Sequence, residues 1–480
     1  MPGDPRQRYM AFNSLIFLIF FAVVLMLHNL PLAWRARKTN LLVASYIFYA
    51  AWSPPFILLL WLSTLTDWFA SRKVAVSTGH MKRLYLVLSI LVNLGMLGYF
   101  KYGAFLEENF AALLGQFGIA ASASESNIIL PLGISFYTFQ SMSYSIDVYR
   151  GRQRLCNSML DFALYVAFFP QLVAGPILRA GFFLQQLVDD NRDRVAQLGW
   201  GFALITVGMF EKVVLADGLL APVVEKVYAS APDAGGIDAW IGTMAFAGQI
   251  FFDFNGYSMI AVGLGACLGF SLPWNFLSPY AAVGFADFWR RWHITLSTWL
   301  RDYLYISLSG NRGSTARTLA NLMLTMLIGG LWHGASWLFV LWGGVHGLLL
   351  VAERVLRKLF GETPLFSSRP AIFVLGLVTW LVVCLTWVLF RADTPGAAAD
   401  LLTAMLSFQG GAALLTTSEF LQVGLVIVSL LGAHWALRDK GFEQAARDLS
   451  WPLAGLVLAA MLAAILLSPG EERAFIYFEF

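Results

Sequence analysis

The chain has 480 residues, 58% of them hydrophobic and 13% charged, with a formal net charge of +3. A soluble domain carries about 25% charged residues, so a water-soluble globular fold is excluded. With no basic tail and no interleaving of basic and aromatic residues, nothing points to nucleic acid.

Apolar runs of span length recur from end to end and lack the alternation of a β-barrel, which makes the chain an all-α polytopic membrane protein. Residues 12–32 form the first span and are retained, since no small-residue cleavage site follows. Arg35, Arg37 and Lys38 then place the next loop inside and the N-terminus outside. Residues 40–70 are broken by Pro54 and Pro55 and read as a hairpin that returns to Arg72, Lys73, Lys82 and Arg83. Residues 84–102 cross outward, 107–127 lack Lys and Arg as an external loop should, and 128–148 return to Arg150, Arg152 and Arg154.

The segment 161–178 is interrupted by Pro170 and Pro176 and fits a re-entrant piece. Residues 198–220 cross outward despite the adjacent Glu211 and Lys212, which mark either a functional site or a helix end. Residues 240–272 return, with Asp253 and Asn255 as polar groups and glycines at 256, 263, 265 and 269 that permit close helix contact. Later crossings fall at 372–390, 421–437 and 453–467, which leaves the C-terminus outside. Eleven or twelve crossings, a re-entrant segment and interfacial pieces make one membrane domain over 1–480. Peripheral spans occupy 1–120, a catalytic core about 128–360, and C-terminal spans 361–480. The cysteines Cys156, Cys267 and Cys384 are scattered through apolar surroundings and imply neither a disulfide framework nor a metal site.

The run 285–313, FADFWRRWHITLSTWLRDYLYISLSGNRG, is unusually charged for this chain. At about 100° per residue, Asp287, Arg290, Arg291, Ser297, Thr298, Arg301 and Asp302 share one side, while Trp289, Trp292, Leu296, Trp299, Leu300 and Tyr303 share the other. Such a helix lies along the membrane interface, its tryptophan side in the acyl boundary of the lipids. His293 falls on the boundary between the faces. Arg290, Arg291, Arg301 and Asp302 could receive an anionic donor at the cytoplasmic face, although Asp287 and Arg291 also form a plain i,i+4 pair.

Between Arg317 and Glu353 stand 35 residues without formal charge. One helix of that length would reach about 52 Å, against a bilayer core of about 30 Å. The break is expected within 329–336, GGLWHGAS, between two short arms, which sets His333 at membrane depth. An imidazole in such a place stays neutral and can take a proton from a hydroxyl, the general-base task of acyl transfer; the plainer reading is a hydrogen-bonded core histidine. His28, His80, His346 and His434 read as packed or interfacial. Metal-hydrolase and serine-hydrolase motifs are lacking.

FWRRWHITLSTWLRDYLYISLSGNRG followed by GGLWHGASW strongly resembles the membrane-bound O-acyltransferase family, most closely its bacterial branch. FFPQLVAGPILR at 168–179, FDFNGYS at 252–258 and the terminal FIYFEF at 475–480 are similar to further blocks of that branch. The resemblance implies a helical bundle with a central funnel, His333 as the catalytic histidine and His293 as the branch's second one. Ser297 and Asn311 lie within the first matching block and join Arg290, Arg291, Arg301 and Asp302 as candidate donor- or substrate-binding residues.

The implied reaction is transfer of an acyl group, in this branch usually acetyl, from a cytoplasmic thioester to a hydroxyl reached from outside. The donor would be acetyl-CoA or an acyl carrier protein, with no bound cofactor. The acceptor would be an exported polysaccharide, alginate or another exopolysaccharide, and an exported acetyltransferase partner would finish delivery. The setting is the bacterial inner membrane. Met259 stands where the branch often has Asp, and LSGNRG where PLGGNRG is common, which leaves the polymer open. A transporter or flippase for lipid-linked sugars is the other reading of the composition, but it should show repeated halves and charges buried in several spans. A polytopic glycosyltransferase should show a carboxylate cluster in a cytoplasmic domain.

Overall fold

The computed structural model describes residues 10–119, 128–173, 175–188, 197–361, 368–408, 410–468 and 473–476. Among them the fold is helical, and the only strand-like feature is one bridge between Ala234 and Ala412. Five helices are long and apolar enough to cross a membrane: Gly79–Gln116, Gly236–Cys267, Trp337–Phe360, Arg369–Arg391 and Thr417–Leu437. The protein is an integral membrane protein. Several segments read as spans from sequence fold as shorter helices: Leu15–Asn29, Trp34–Ala50, Ile134–Tyr149 and Trp451–Leu467.

The chain divides into two compact units. One comprises Met1–Ile205 with Ile260–Pro273; the other comprises Thr206–Met259 with Trp274–Phe480.

In the first unit, the hairpin expected at 40–70 forms from Trp34–Ala50 and Ile57–Val76 around a short 3₁₀ turn, Pro54–Phe56. Two prolines without N–H donors end one helix and start the next. Helix Gly79–Gln116 runs past the expected crossing, so 107–116 are helical and only part of the predicted loop remains; 120–127 lie outside the described residues. The 161–178 segment is broken as its prolines require, into Met159–Ala167 and Phe169–Leu172. Two buried carboxylates here are paired. Asp67 accepts from Ser89, from Asn93 at 2.7 Å and from Ser145 at 2.6 Å, and Lys38 pairs with Asp161. A Cβ on Gly263 would stand 2.6 Å from the Gly201 carbonyl, the close approach expected of that glycine; Gly269, at φ +80°, instead turns the chain beyond its helix.

In the second unit, helices Thr315–His333 and Trp337–Phe360 form the expected hairpin, the break falling just after His333. Their contact is glycine on glycine. A Cβ on Gly330 would meet the Phe339 carbonyl at 2.3 Å, and one on Gly343 the Met326 carbonyl at 2.3 Å. Ser336 caps the second arm, its hydroxyl accepting from the Leu338 N–H at 3.2 Å.

The 285–313 run departs from expectation. It is not one helix but Phe285–Arg291, a break at Trp292 and His293, then Ile294–Trp299 and a π-helical turn, Leu300–Tyr305. Its tryptophan side is turned into the protein and not into lipid: Trp292 and Leu296 are fully buried, with Trp299, Leu300 and Tyr303 nearly so.

Candidate functional site

The break at His293 follows from what surrounds it. His293 adopts φ +42°, a left-handed conformation uncommon outside glycine, and functional sites are where such strain persists. Asn275 holds the turn. Its carbonyl oxygen Oδ1 accepts from the Thr295 hydroxyl at 2.8 Å and from the Thr295 N–H at 3.3 Å, and its backbone carbonyl accepts from the Ile294 N–H at 2.9 Å. Nδ1 of His293 lies 3.3 Å from the same Oδ1 and donates to it, which leaves the lone pair on Nε2. Asn275 is oriented in turn by Ser258, whose hydroxyl accepts from Nδ2 at 3.3 Å. The 285–305 segment is none of the candidate spans, and burial alone pushes the His293 imidazole down to about 3, so it is neutral at pH 7.

His333 ends the first arm of the glycine hairpin and is 2% exposed. The fold brings it to His293, with ring centroids 6.5 Å apart, although 39 residues separate them in sequence. Aromatic rings enclose the pair. Trp332, Trp342 and Phe390 lie 5.1, 5.0 and 5.3 Å from the His333 ring, and Phe254 packs edge-on against His293 at 4.6 Å. The cage keeps bulk water from the two rings, the setting in which a neutral ring nitrogen can accept a hydroxyl proton.

The remaining sequence-predicted residues divide. Arg291 is engaged within the fold: it pairs with Asp287 at 3.0 Å and donates to the carbonyls of Leu277 and Arg438 at 3.2 and 3.1 Å. The Ser297 hydroxyl donates to the Trp292 carbonyl at 3.2 Å, which bridges the break before it. Arg301 is exposed and forks onto Asp302 at 2.7 and 3.2 Å. Arg290 and Asn311 are exposed. His80 is exposed, whereas the other histidines serve packing: His346 meets the Thr386 hydroxyl at 3.0 Å, and His434 Nδ1 accepts from the Tyr280 N–H at 3.2 Å. Within the first unit, His28 meets the Leu268 carbonyl at 3.1 Å.

Sequence reasoning missed Asn275, Phe254, Trp342 and Phe390 as parts of the site. Phe254 belongs to a block singled out for other reasons; Asn275 is one amide in an irregular stretch and carries no periodic signal. Glu211 and Lys212 are part of the fold's interior: Glu211 accepts from Asn255 at 2.7 Å, and Lys212 pairs with Asp253 and, at 2.9 Å, with Asp217.

A family profile described as MBOAT, membrane-bound O-acyltransferase family, matches residues 156–391, a range that includes His293 and His333. A probable alginate O-acetylase AlgI of Azotobacter vinelandii is 42% identical over 443 residues, covering 91% of this chain and 85% of that protein. The protein of the same name from Pseudomonas aeruginosa is 41% identical, with coverages of 91% and 82%. A peptidoglycan O-acetyltransferase of Helicobacter pylori is 34% identical, with coverages of 84% and 81%.

Proposed function

Because the chain belongs to the membrane-bound O-acyltransferase family, we propose that it moves an acetyl group from a cytoplasmic thioester to a hydroxyl of an exported polysaccharide. The observation that carries the reading is the enclosed His333–His293 pair, built where a hairpin break meets a strained turn. An alginate-like polymer is the first acceptor to try, in keeping with the relatives named above.

In this reading His333 is the general base. As the acceptor oxygen bonds to the thioester carbonyl carbon, His333 takes the hydroxyl proton. When the tetrahedral intermediate collapses, the carbon–sulfur bond breaks and the proton goes to the departing thiolate. His293, its tautomer set by Asn275, positions donor or acceptor beside His333. Acetyl-CoA or an acyl carrier protein supplies the acetyl group at the cytoplasmic mouth. Arg290 and Arg301 are the cations placed to meet its phosphates, with Asp302, Ser297 and Asn311 beside them, whereas Arg291 serves mainly to hold the 285–291 helix. An exported acetyltransferase partner completes delivery to the polymer. The protein resides in the bacterial inner membrane with both termini outside, and its catalytic core spans about 128–360.

The test is acetyl transfer from radiolabelled acetyl-CoA by purified protein in liposomes, with acceptor glycan and partner protein added. His333→Ala that folds normally but transfers nothing supports the proposal; wild-type turnover in that variant contradicts it.

A further inference from the structure

Away from the histidine pair, the second unit buries three charges together. Lys212 and Asp253 are each 2% exposed and Asp217 5%. Lys212 pairs with both carboxylates and lies over the Tyr257 ring at 5.6 Å. Desolvating such a cluster is costly, which raises the question of what it holds.

What it holds is the chain's own C-terminal segment. The Lys212 ammonium donates to the Ala474 carbonyl at 3.2 Å, and Asp253 Oδ2 accepts from the Ile476 N–H at 2.8 Å. Two charges on different helices thus grip the backbone on either side of Phe475. Just before it, Arg473 pairs with Glu225. A cavity of about 120 Å³ lies against this grip, lined by Lys212, Asp217, Gln249, Asp253, Arg473 and Ile476, so the clamp has a polar side. Phe475 itself is fully buried, 4.6 Å from the Tyr257 ring and 5.5 Å from Phe254. Phe254 is the ring packed edge-on against His293.

We infer that Lys212 and Asp253 are positioning residues for His293: by gripping Ala474 and Ile476 they seat Phe475 on Phe254, and Phe254 holds the strained imidazole in place. The C-terminal segment is therefore a wall of the site. The kinetic part of the test rests on the acyl-transfer reading; the structural part does not.

The experiment uses the full chain in detergent and in liposomes, as wild type, Lys212→Met, Phe475→Ala and the double variant. Site-resolved diethyl pyrocarbonate modification reads the accessibility of His293, with His346 and His434, buried in the same unit, as internal controls. Modification of His293 is expected to quicken about tenfold or more in each variant while the controls keep their rates. The kcat for transfer should fall about tenfold or more with donor KM unchanged, because only the geometry of the second histidine is lost. Since both substitutions act through one contact chain, the double variant should lose no more than the worse single one. Phe475→Ala alters no charge, and it carries the test if Lys212→Met fails to fold. The inference is overturned if His293 keeps its wild-type modification rate, if all three histidines quicken together, or if the two losses multiply. Should wild-type protein transfer no acyl group from any donor, the acyl-transfer reading fails, and the modification map still decides the clamp.

Discussion

His333 and His293 differ in what the backbone asks of them. The first ends a regular helix beside a glycine, where the backbone demands little of it; the second is forced into a left-handed turn and needs support. Replacing His333 by Ala should lower transfer by about 10²–10⁴-fold, the usual worth of a general base, with the thermal unfolding midpoint little changed. Asn275→Ala should act on both properties. It leaves the buried Thr295 donors unsatisfied, at about 1–3 kcal/mol in unfolding experiments, and it frees His293, lowering kcat about tenfold. The exposed Arg301 belongs to the donor in this account, so Arg301→Ala should raise donor KM with kcat kept, whereas Arg291→Ala should lower stability first. Steady-state kinetics beside melting curves separates the two. His333 was legible in the sequence because an uncharged run too long for one span needs a break, and glycines mark where. Asn275 was not legible, because it reaches the site from a stretch with no helical period to betray it.

At the scale of elements, the hairpin and the broken 285–305 segment make the candidate site. The hairpin could be anticipated: 35 uncharged residues exceed one crossing, and Gly330 with Gly343 allows the arms to meet. Gly330→Ala would drive a Cβ into the Phe339 carbonyl at 2.3 Å and part the arms at the level of His333. A destabilisation of about 1–3 kcal/mol and a loss of transfer should follow. Gly344→Ala meets only the tip of Leu327 at 3.3 Å and should be mild; fluorescence size-exclusion before and after heating distinguishes them. The 285–305 segment misled sequence reasoning for a physical reason. A single left-handed residue re-aims the chain, yet the polar and apolar positions on both sides still fit one helical period. Burial of the tryptophan face was equally hidden, since hydrophobicity alone does not tell a lipid-facing ring from one packed on protein.

Across the whole molecule, the sequence carried the membrane class, the helical class and, through its histidine-bearing blocks, the family. It did not reveal how the chain divides, because the helices 198–220 and 236–267 each have residues in both compact units. The orientation proposed from basic loops predicts that a tag after Phe480 is cleaved by protease added outside intact spheroplasts, while a tag placed within 362–367 is protected. The reverse pattern would invert the donor and acceptor sides. The central claim is that a histidine pair enclosed by aromatic rings transfers an acetyl group from a thioester. Radiolabelled acetyl-CoA supplied to proteoliposomes, with wild type compared against His333→Ala and His293→Ala, tests it most directly. The account predicts ester-linked label on the acceptor for wild type, none above background for His333→Ala, and a reduced kcat for His293→Ala. Equal labelling by wild type and His333→Ala would contradict it.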